Sequence, residues 1–166
     1  MQKPDLRKIS IDKIQPALLP CNNVELDVFR LDKIHPVISG NKWFKLKYHL
    51  VNFNTGNYEG ILTFGGAWSN HIVATACACY LQKINSVGII RGERSPQLSA
   101  TMAQAMEYDM QLKFISREQY KQKNNKDFLE EIKKEFPGYY IIPEGGAGND
   151  GEKGASEIPE LITANR

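Results

Sequence analysis

The 166-residue chain has three cysteines, no long apolar run and almost no net charge. Each scarcity removes a class of protein. Cys21, Cys77 and Cys79 are odd in number, and Cys77 and Cys79 stand two apart in a helix-like run, on different faces. That spacing suits neither a disulfide nor a shared metal, so they read as small core residues and no metal site is expected. The first thirty residues hold no segment fit for a signal peptide, and no stretch is long enough to span a bilayer, which points to a soluble, cytoplasmic protein. A formal charge of +2 offers no electrostatic case for nucleic acid or an acidic membrane. Lys121, Lys123, Lys126, Lys133 and Lys134 are interleaved with Asp127, Glu130, Glu131 and Glu135, as on a solvated helix face. Internal repeats and low-complexity tracts are missing too. What is present, 42% hydrophobic and 24% charged residues, suffices for a folded core.

One rhythm runs through the chain. Residues 24–31 alternate enough for a strand, and a helix follows from Asn41, which serves as its N-cap, with Trp43, Leu46, Lys47, Leu50 and Val51 sharing a face until Gly56. Four short apolar runs then alternate with helical ones. The strands are Gly60–Phe64, Val87–Arg91, Leu112–Ile115 and Tyr139–Ile142. The helices are His71–Leu81, Gln97–Tyr108 (Ser95 at the N-cap, Pro96 first), Ser116–Lys123 and Asp127–Phe136. This alternation predicts an α/β three-layer sandwich around a four-stranded parallel sheet.

In such folds ligands sit in loops at the carboxyl ends of the strands. Here the first and fourth strands run into glycine-rich loops, Gly65-Gly66-Ala67-Trp68-Ser69-Asn70-His71 and Pro143-Glu144-Gly145-Gly146-Ala147-Gly148-Asn149-Asp150-Gly151. Glycines admit a ligand close to the backbone, and a helix start offers free amides to an anion. Gly146, Gly148 and Gly151 also satisfy the dinucleotide pattern G-x-G-x-x-G. That pattern belongs to the first βαβ unit and needs an acidic residue about twenty positions on, so it is set aside.

Lys42 falls in the first turn of a helix beside Trp43 and Phe44. The positive helix end and partial burial both disfavour an ammonium, and a neutral amine is what attacks an aldehyde. Lys45 and Lys47 lie deeper in the helix and lack that advantage.

Taken in order, Gly40-Asn41-Lys42 with Lys45-Leu46, Gly65-Gly66-x-x-Ser69-Asn70-His71, and Pro143-Glu144-Gly145-Gly146 resemble the 1-aminocyclopropane-1-carboxylate (ACC) deaminase and D-cysteine desulfhydrase family. These are pyridoxal 5'-phosphate (PLP) enzymes with the tryptophan synthase β-subunit fold. The resemblance covers nearly all of this chain and the first half of a family member. It implies a deaminase or desulfhydrase acting on a small amino acid. Lys42 matches the lysine that carries PLP covalently and shuttles the substrate proton, and Asn70 the asparagine on the ring 3-oxygen. Ser69 matches the serine by the substrate carboxylate, with His71 and the Asn70 amide helping to bind that group. The Glu144-Gly145-Gly146 loop matches a structural element.

Two residues depart from the family pattern: Trp68 stands where a glutamine or tyrosine flanks the substrate, and Phe44 replaces an arginine. By the resemblance, residues 57–150 form a small domain, while 1–56 and 151–166 are parts of an incomplete large domain. The loop that cradles the PLP phosphate, the group facing the pyridine nitrogen and a C-terminal tyrosine would lie beyond Arg166. Two alternatives follow: the chain is a fragment or truncated product, inactive alone, or a homo-oligomer or complementing second chain completes the site. Val24, Leu26, Val28, Trp43, Leu46 and Leu50 should form an exposed apolar patch that drives self-association.

Two other classes are weighed. One is a catalytically dead binding or interaction module derived from the family. The other is a serine hydrolase using Ser69 and His71, which the divergence of residues two apart at a helix start argues against.

Overall fold

The computed structural model describes residues 4–14 and 25–164. A two-stranded antiparallel ladder, β1 (Ile11–Lys13) with β2 (Asp27–Phe29), opens the chain with Ile11 opposite Phe29. The strand expected over 24–31 is thus reduced to three residues and pairs only with β1; Val24 and Cys21 lie outside the described residues.

Helix α1 (Lys42–Thr55) leads into the main sheet. Its four strands are β3 (Gly60–Gly65), β4 (Asn85–Arg91), β5 (Gln111–Ile115) and β6 (Tyr139–Ile142), all parallel, in the order β5-β4-β3-β6. The expected strands agree with these to within two residues at any end. Parallel strands buried on both faces appear as near-continuous apolar runs, which is why they could be read directly. β3 is buried along its whole length.

The connecting helices divide between two faces. On one, α2 (Asn70–Gln82) and α3 (Ala100–Glu107) bury Ile72, Ala76, Met102 and Ala105 against Ile90. On the other, α4 (Arg117–Lys121) and α5 (Lys126–Glu135) bury Tyr120 and Ile132 against Leu62, Phe64, Val87 and Ile89. Adjacent residues of β3, Ile61 and Leu62, go to opposite clusters, as the pleat requires. The result is the three-layer α/β sandwich.

Capping accounts for several helix starts. Ser116 and Gln119 form a reciprocal capping box on α4, and Asn125 caps α5 through the Asp127 amide at 2.8 Å. Two caps differ from expectation. Helix α3 begins at Ala100 because Ser99, not Ser95, takes the Met102 amide at 3.2 Å, while Ser95 closes only a local turn onto Gln97. Asn41 has helical backbone angles and caps nothing; its amide oxygen accepts from Lys42 Nζ at 3.0 Å.

The expected exposed patch is largely covered. Leu46 and Leu50 pack with Ile38, Ile61, Ala74, Cys77 and Ile142, and Trp43 lies half-buried beside them. Phe44 fills a second cluster with Ile9 and Ile34, so the departure there is a packing change. Leu26 and Val28 remain exposed, and Val51, assigned to the buried face, is exposed as well. What covers α1 is α6 (Asn149–Ala155), laid against it through two glycines. A Cβ at Gly154 would stand 1.8 Å from the Phe44 carbonyl oxygen, and one at Gly151 would stand 1.7 Å from that of Gly146. The third glycine of the apparent dinucleotide pattern is therefore there for backbone contact. Helix α7 (Glu157–Ala164) continues the brace: Glu157 takes Lys47 Nζ at 2.7 Å and the Tyr48 hydroxyl at 2.6 Å.

Candidate functional site

The order β5-β4-β3-β6 places the fourth strand on the far side of the first, so the direction of winding reverses between β3 and β6. A crevice opens beyond the carboxyl ends at such a switch point. Both glycine loops end there, and the start of α1 is brought to the same place. A Cβ at Gly146 would lie 3.1 Å from Lys45 Cβ and 3.6 Å from His71 Cε1, so only a glycine lets the three segments meet this closely. Gly146 also has φ +69°, which favours glycine on conformational grounds.

His71 is the hub. It is buried on the first turn of α2, and its Nε2 lies 2.8 Å from Thr63 Oγ1. Thr63 gives its single proton to the Ile142 carbonyl at 2.9 Å, so toward His71 it can only accept. His71 therefore carries its proton on Nε2 and presents a lone pair at Nδ1, which is buried with no partner among the described residues. Burial, and after it the charges of Lys42, His49 and Lys45, push the His71 pKa down to about 3. The ring is neutral at physiological pH. Thr63 drew no attention in the sequence, although a lone hydroxyl in the apolar run Gly60–Gly65 must find partners once buried.

Lys42 begins α1, half-buried. Burial first, then the neighbouring Lys45 charge, lowers its pKa from the usual 10.5. Its charge is felt at His71, which ties the lysine to the start of α2. Ser69 caps α2, its hydroxyl accepting from the Ile72 amide at 3.4 Å, and Asn70 is exposed as the first residue of the helix. The Asn70 and His71 amides belong to the first turn, where the helix has no acceptor for them. Loop 65–69 is pinned by the Ser99 hydroxyl, which donates to the Ala67 carbonyl. Ser69 bonds toward Ile72 and His71 toward Thr63; the two do not pair, which removes the basis for a serine-hydrolase couple.

A second polar group supports the crevice from behind. Tyr140 donates to Asp150 at 3.1 Å and lies 3.2 Å from His49 Nδ1, and Asn52 donates to the same carboxylate oxygen at 2.7 Å. Burial lowers the His49 pKa, while Asp150 and the Ala147 and Gly146 backbone pull it back. These four residues join α1, β6 and α6 across about a hundred positions of chain, a relation that no local spacing reveals.

No family model matches the chain. Over 154 residues it is 29% identical to the bifunctional D-cysteine desulfhydrase/1-aminocyclopropane-1-carboxylate deaminase, mitochondrial, of Arabidopsis thaliana, covering 85% of this chain and 38% of that protein. Over 141 residues it is 30% identical to a putative 1-aminocyclopropane-1-carboxylate deaminase of Pyrococcus abyssi, covering 84% and 43%. The chain is related to the ACC deaminase and D-cysteine desulfhydrase family. A crystal structure of an ACC deaminase homologue superposes with a TM-score of 0.78 at 23% identity, over 96% of this chain and 49% of that one. The four-stranded parallel sheet and its helices are thus a shared fold. The chain spans less than half the length of these members of the family. Among the described residues no helix is long and apolar enough to cross a membrane.

Proposed function

We propose that this chain supplies the lysine-bearing part of a PLP-dependent deaminase or desulfhydrase acting on a small amino acid of the ACC or D-cysteine type. The observation that carries the reading is the placement of Lys42: a half-buried amine at the start of α1, the helix whose first turn meets Gly146 and His71 at the switch point of the sheet. The residues present fit a lysine-linked aldehyde cofactor. Their marks are the depressed amine, the buried unpartnered His71 Nδ1 and the glycine turn that a Cβ would obstruct.

In this reading Lys42 and Asn70 hold PLP, and Ser69, Asn70 and His71 face the substrate. The cofactor, when bound, supplies an electron sink for the bond broken next to the amino group. Lys42 Nζ, able to be neutral, takes and returns the proton at the substrate carbon. The substrate carboxylate is held by the free first-turn amides of α2 with the Ser69 hydroxyl. The His71 ring contributes differently: neutral and protonated on Nε2, it offers Nδ1 as an acceptor to a donor and shapes the floor of the site. Exposed Trp68 stands beside this loop and would set which substrate fits.

The domain division at residues 57 and 150, completion of the site by a second chain or a homo-oligomer, and action in the cytoplasm belong to the same proposal. The buried thiol of Cys79 suits a reducing compartment. The alternative reading is a non-catalytic binding or interaction module derived from the same family. Reduction with borohydride in the presence of PLP, followed by peptide mapping, decides whether the proposed lysine is right. Label concentrated on Lys42 supports the reading, and label on Lys45, Lys47 or scattered lysines overturns it. Release of ammonia from ACC or sulfide from D-cysteine by the chain, alone or with a complementing chain, separates enzyme from binding module.

A further inference from the structure

A second hollow of about 640 Å³ opens at the carboxyl ends of the sheet, on the side of α4. It is lined by Gly66, Trp68, Arg91, Arg117, Lys121 and Lys123, with Tyr120 forming its floor; none of Lys42, Ser69, Asn70 or His71 takes part. We infer that this hollow is a binding site for a small molecule bearing paired oxyanions, a phosphate ester or a polycarboxylate.

Four cations from three elements converge on one concavity: Arg91 ends β4, Arg117 and Lys121 belong to α4, and Lys123 follows it. Only Lys123 has a carboxylate partner, Glu144 at 3.4 Å; Arg91, Arg117 and Lys121 have no ion pair among the described residues. Glu93 and Glu118 line the adjoining hollow that shares Arg91 and Arg117, and neither neutralises them by direct contact. Unpaired guanidinium groups fronting a cleft are suited to bidentate capture of an oxyanion.

Arg91 is also positioned rather than loose. Its guanidinium lies 5.7 Å from the Tyr120 ring centroid, and a Cβ at Gly66 would come within 3.4 Å of its terminal nitrogen. The guanidinium thus lies between the loop and the ring. Lys123 sits over the same ring at 5.2 Å. Tyr120 is 2% exposed; its hydroxyl has no partner at normal hydrogen-bond distance among the described residues, and a longer interaction with the Glu144 carboxylate adds to the upward pKa shift that burial causes. Unpaired cations converging at the strand ends are the arrangement an anionic ligand completes.

The test is a titration of the isotopically labelled 166-residue chain with pyrophosphate in one arm and citrate in the other, followed by NMR. The Arg91 and Arg117 side-chain N–H signals and the Trp68 indole signal should move together along a saturating curve in at least one arm. The tighter arm tells phosphate from carboxylate. Arg91→Gln and Arg117→Gln should each weaken binding about tenfold or more, since a hydrogen bond to a charged group is lost. Lys134→Ala, on the exposed face of α5, should leave it unchanged. Both arginines are exposed, so the variants should keep the fold, and each serves as a check on the other. Linear shifts spread over all lysines and arginines in both arms, or unchanged saturation in the two variants, would overturn the inference.

Discussion

His71 Nε2 donates to the Thr63 hydroxyl at 2.8 Å, and Thr63 hands its own proton to the Ile142 carbonyl at 2.9 Å. This relay fixes the tautomer of a buried imidazole through the backbone of a neighbouring strand. Thr63→Val keeps the shape and removes the acceptor, leaving a buried N–H unpaired at a cost of about 1–3 kcal/mol. Thr63→Ser should restore most of that loss. Urea denaturation gives the magnitudes, and nitrogen-15 shifts of His71 report the tautomer. A valine variant as stable as the parent would show that the relay contributes nothing.

The same histidine sets an acid limit. Its folded pKa of about 3 lies below the ordinary 6.5, so the unfolded chain binds the proton that the folded chain refuses. Stability from this group is complete above about pH 6.5 and is lost as pH falls toward 3. His49, also shifted down by burial, acts in the same direction. Urea midpoints should therefore fall between pH 6.5 and 5, above the range where carboxylates titrate. His71→Gln should flatten that part of the profile, and an unaltered slope in this variant would refute the assignment.

Lys42 and Lys47 lie five residues apart on one helix and are shifted in opposite directions. Burial lowers Lys42, whereas the hydrogen bond that Lys47 donates to Glu157 raises Lys47. Competitive acetylation at pH 8 should modify Lys42 faster than Lys47. Glu157→Gln should speed the reaction at Lys47 and leave Lys42 as it was. Equal rates in the parent chain would contradict the separation.

How far the sequence carried the structure depended on the range of each determinant. Strands such as Gly60–Gly65 were readable because burial on both faces writes itself as a local apolar run. The α2 start was readable to within one residue, at His71 against the observed Asn70, from the glycine loop that leads into it. The buried face of α1 was misjudged, because Phe44 is claimed by Ile9 and Ile34 while Val51 is left to solvent, and that choice is made by distant segments. Lys42 and His71 were both named from motif, yet the Thr63 relay that joins β3, β6 and α2 has no local signature. The Gly146-x-Gly148-x-x-Gly151 spacing was rightly not taken as a dinucleotide motif, but the reason for its last glycine was not legible: Gly151, like Gly154, is a position where backbone meets backbone.

Those two glycines make a sharp prediction. In Gly154→Ala the new methyl would stand 1.8 Å from the Phe44 carbonyl oxygen, and backbone cannot give way as a side chain can. Overpacking of this kind costs on the order of 3 kcal/mol. Gly145→Ala is the control: φ is +72° but nothing lies within 4 Å, so only the left-handed strain of about 1–2 kcal/mol applies. Thermal unfolding should rank parent, Gly145→Ala and Gly154→Ala in falling order. A Gly154→Ala variant more stable than Gly145→Ala would show that α6 does not brace α1 so closely.

The protection of α1 follows from the same brace. From sequence, Leu46 and Leu50 were expected to lie in an exposed apolar patch. In the structure Leu46 is 0% and Leu50 5% exposed, packed on Ile61 of β3 and Ile142 of β6. An amide in a helix so anchored opens only when the core it seals opens. Hydrogen exchange of residues 46–50 should therefore be as slow as that of β3, while residues 25–26, outside any regular element, exchange rapidly. Leu46→Ala should cost about 2–5 kcal/mol and release the α1 amides and those of β3 together. Fast exchange across α1 beside a protected sheet would instead mean that the helix is an appendage, and that its first turn is not held against the Gly146 loop.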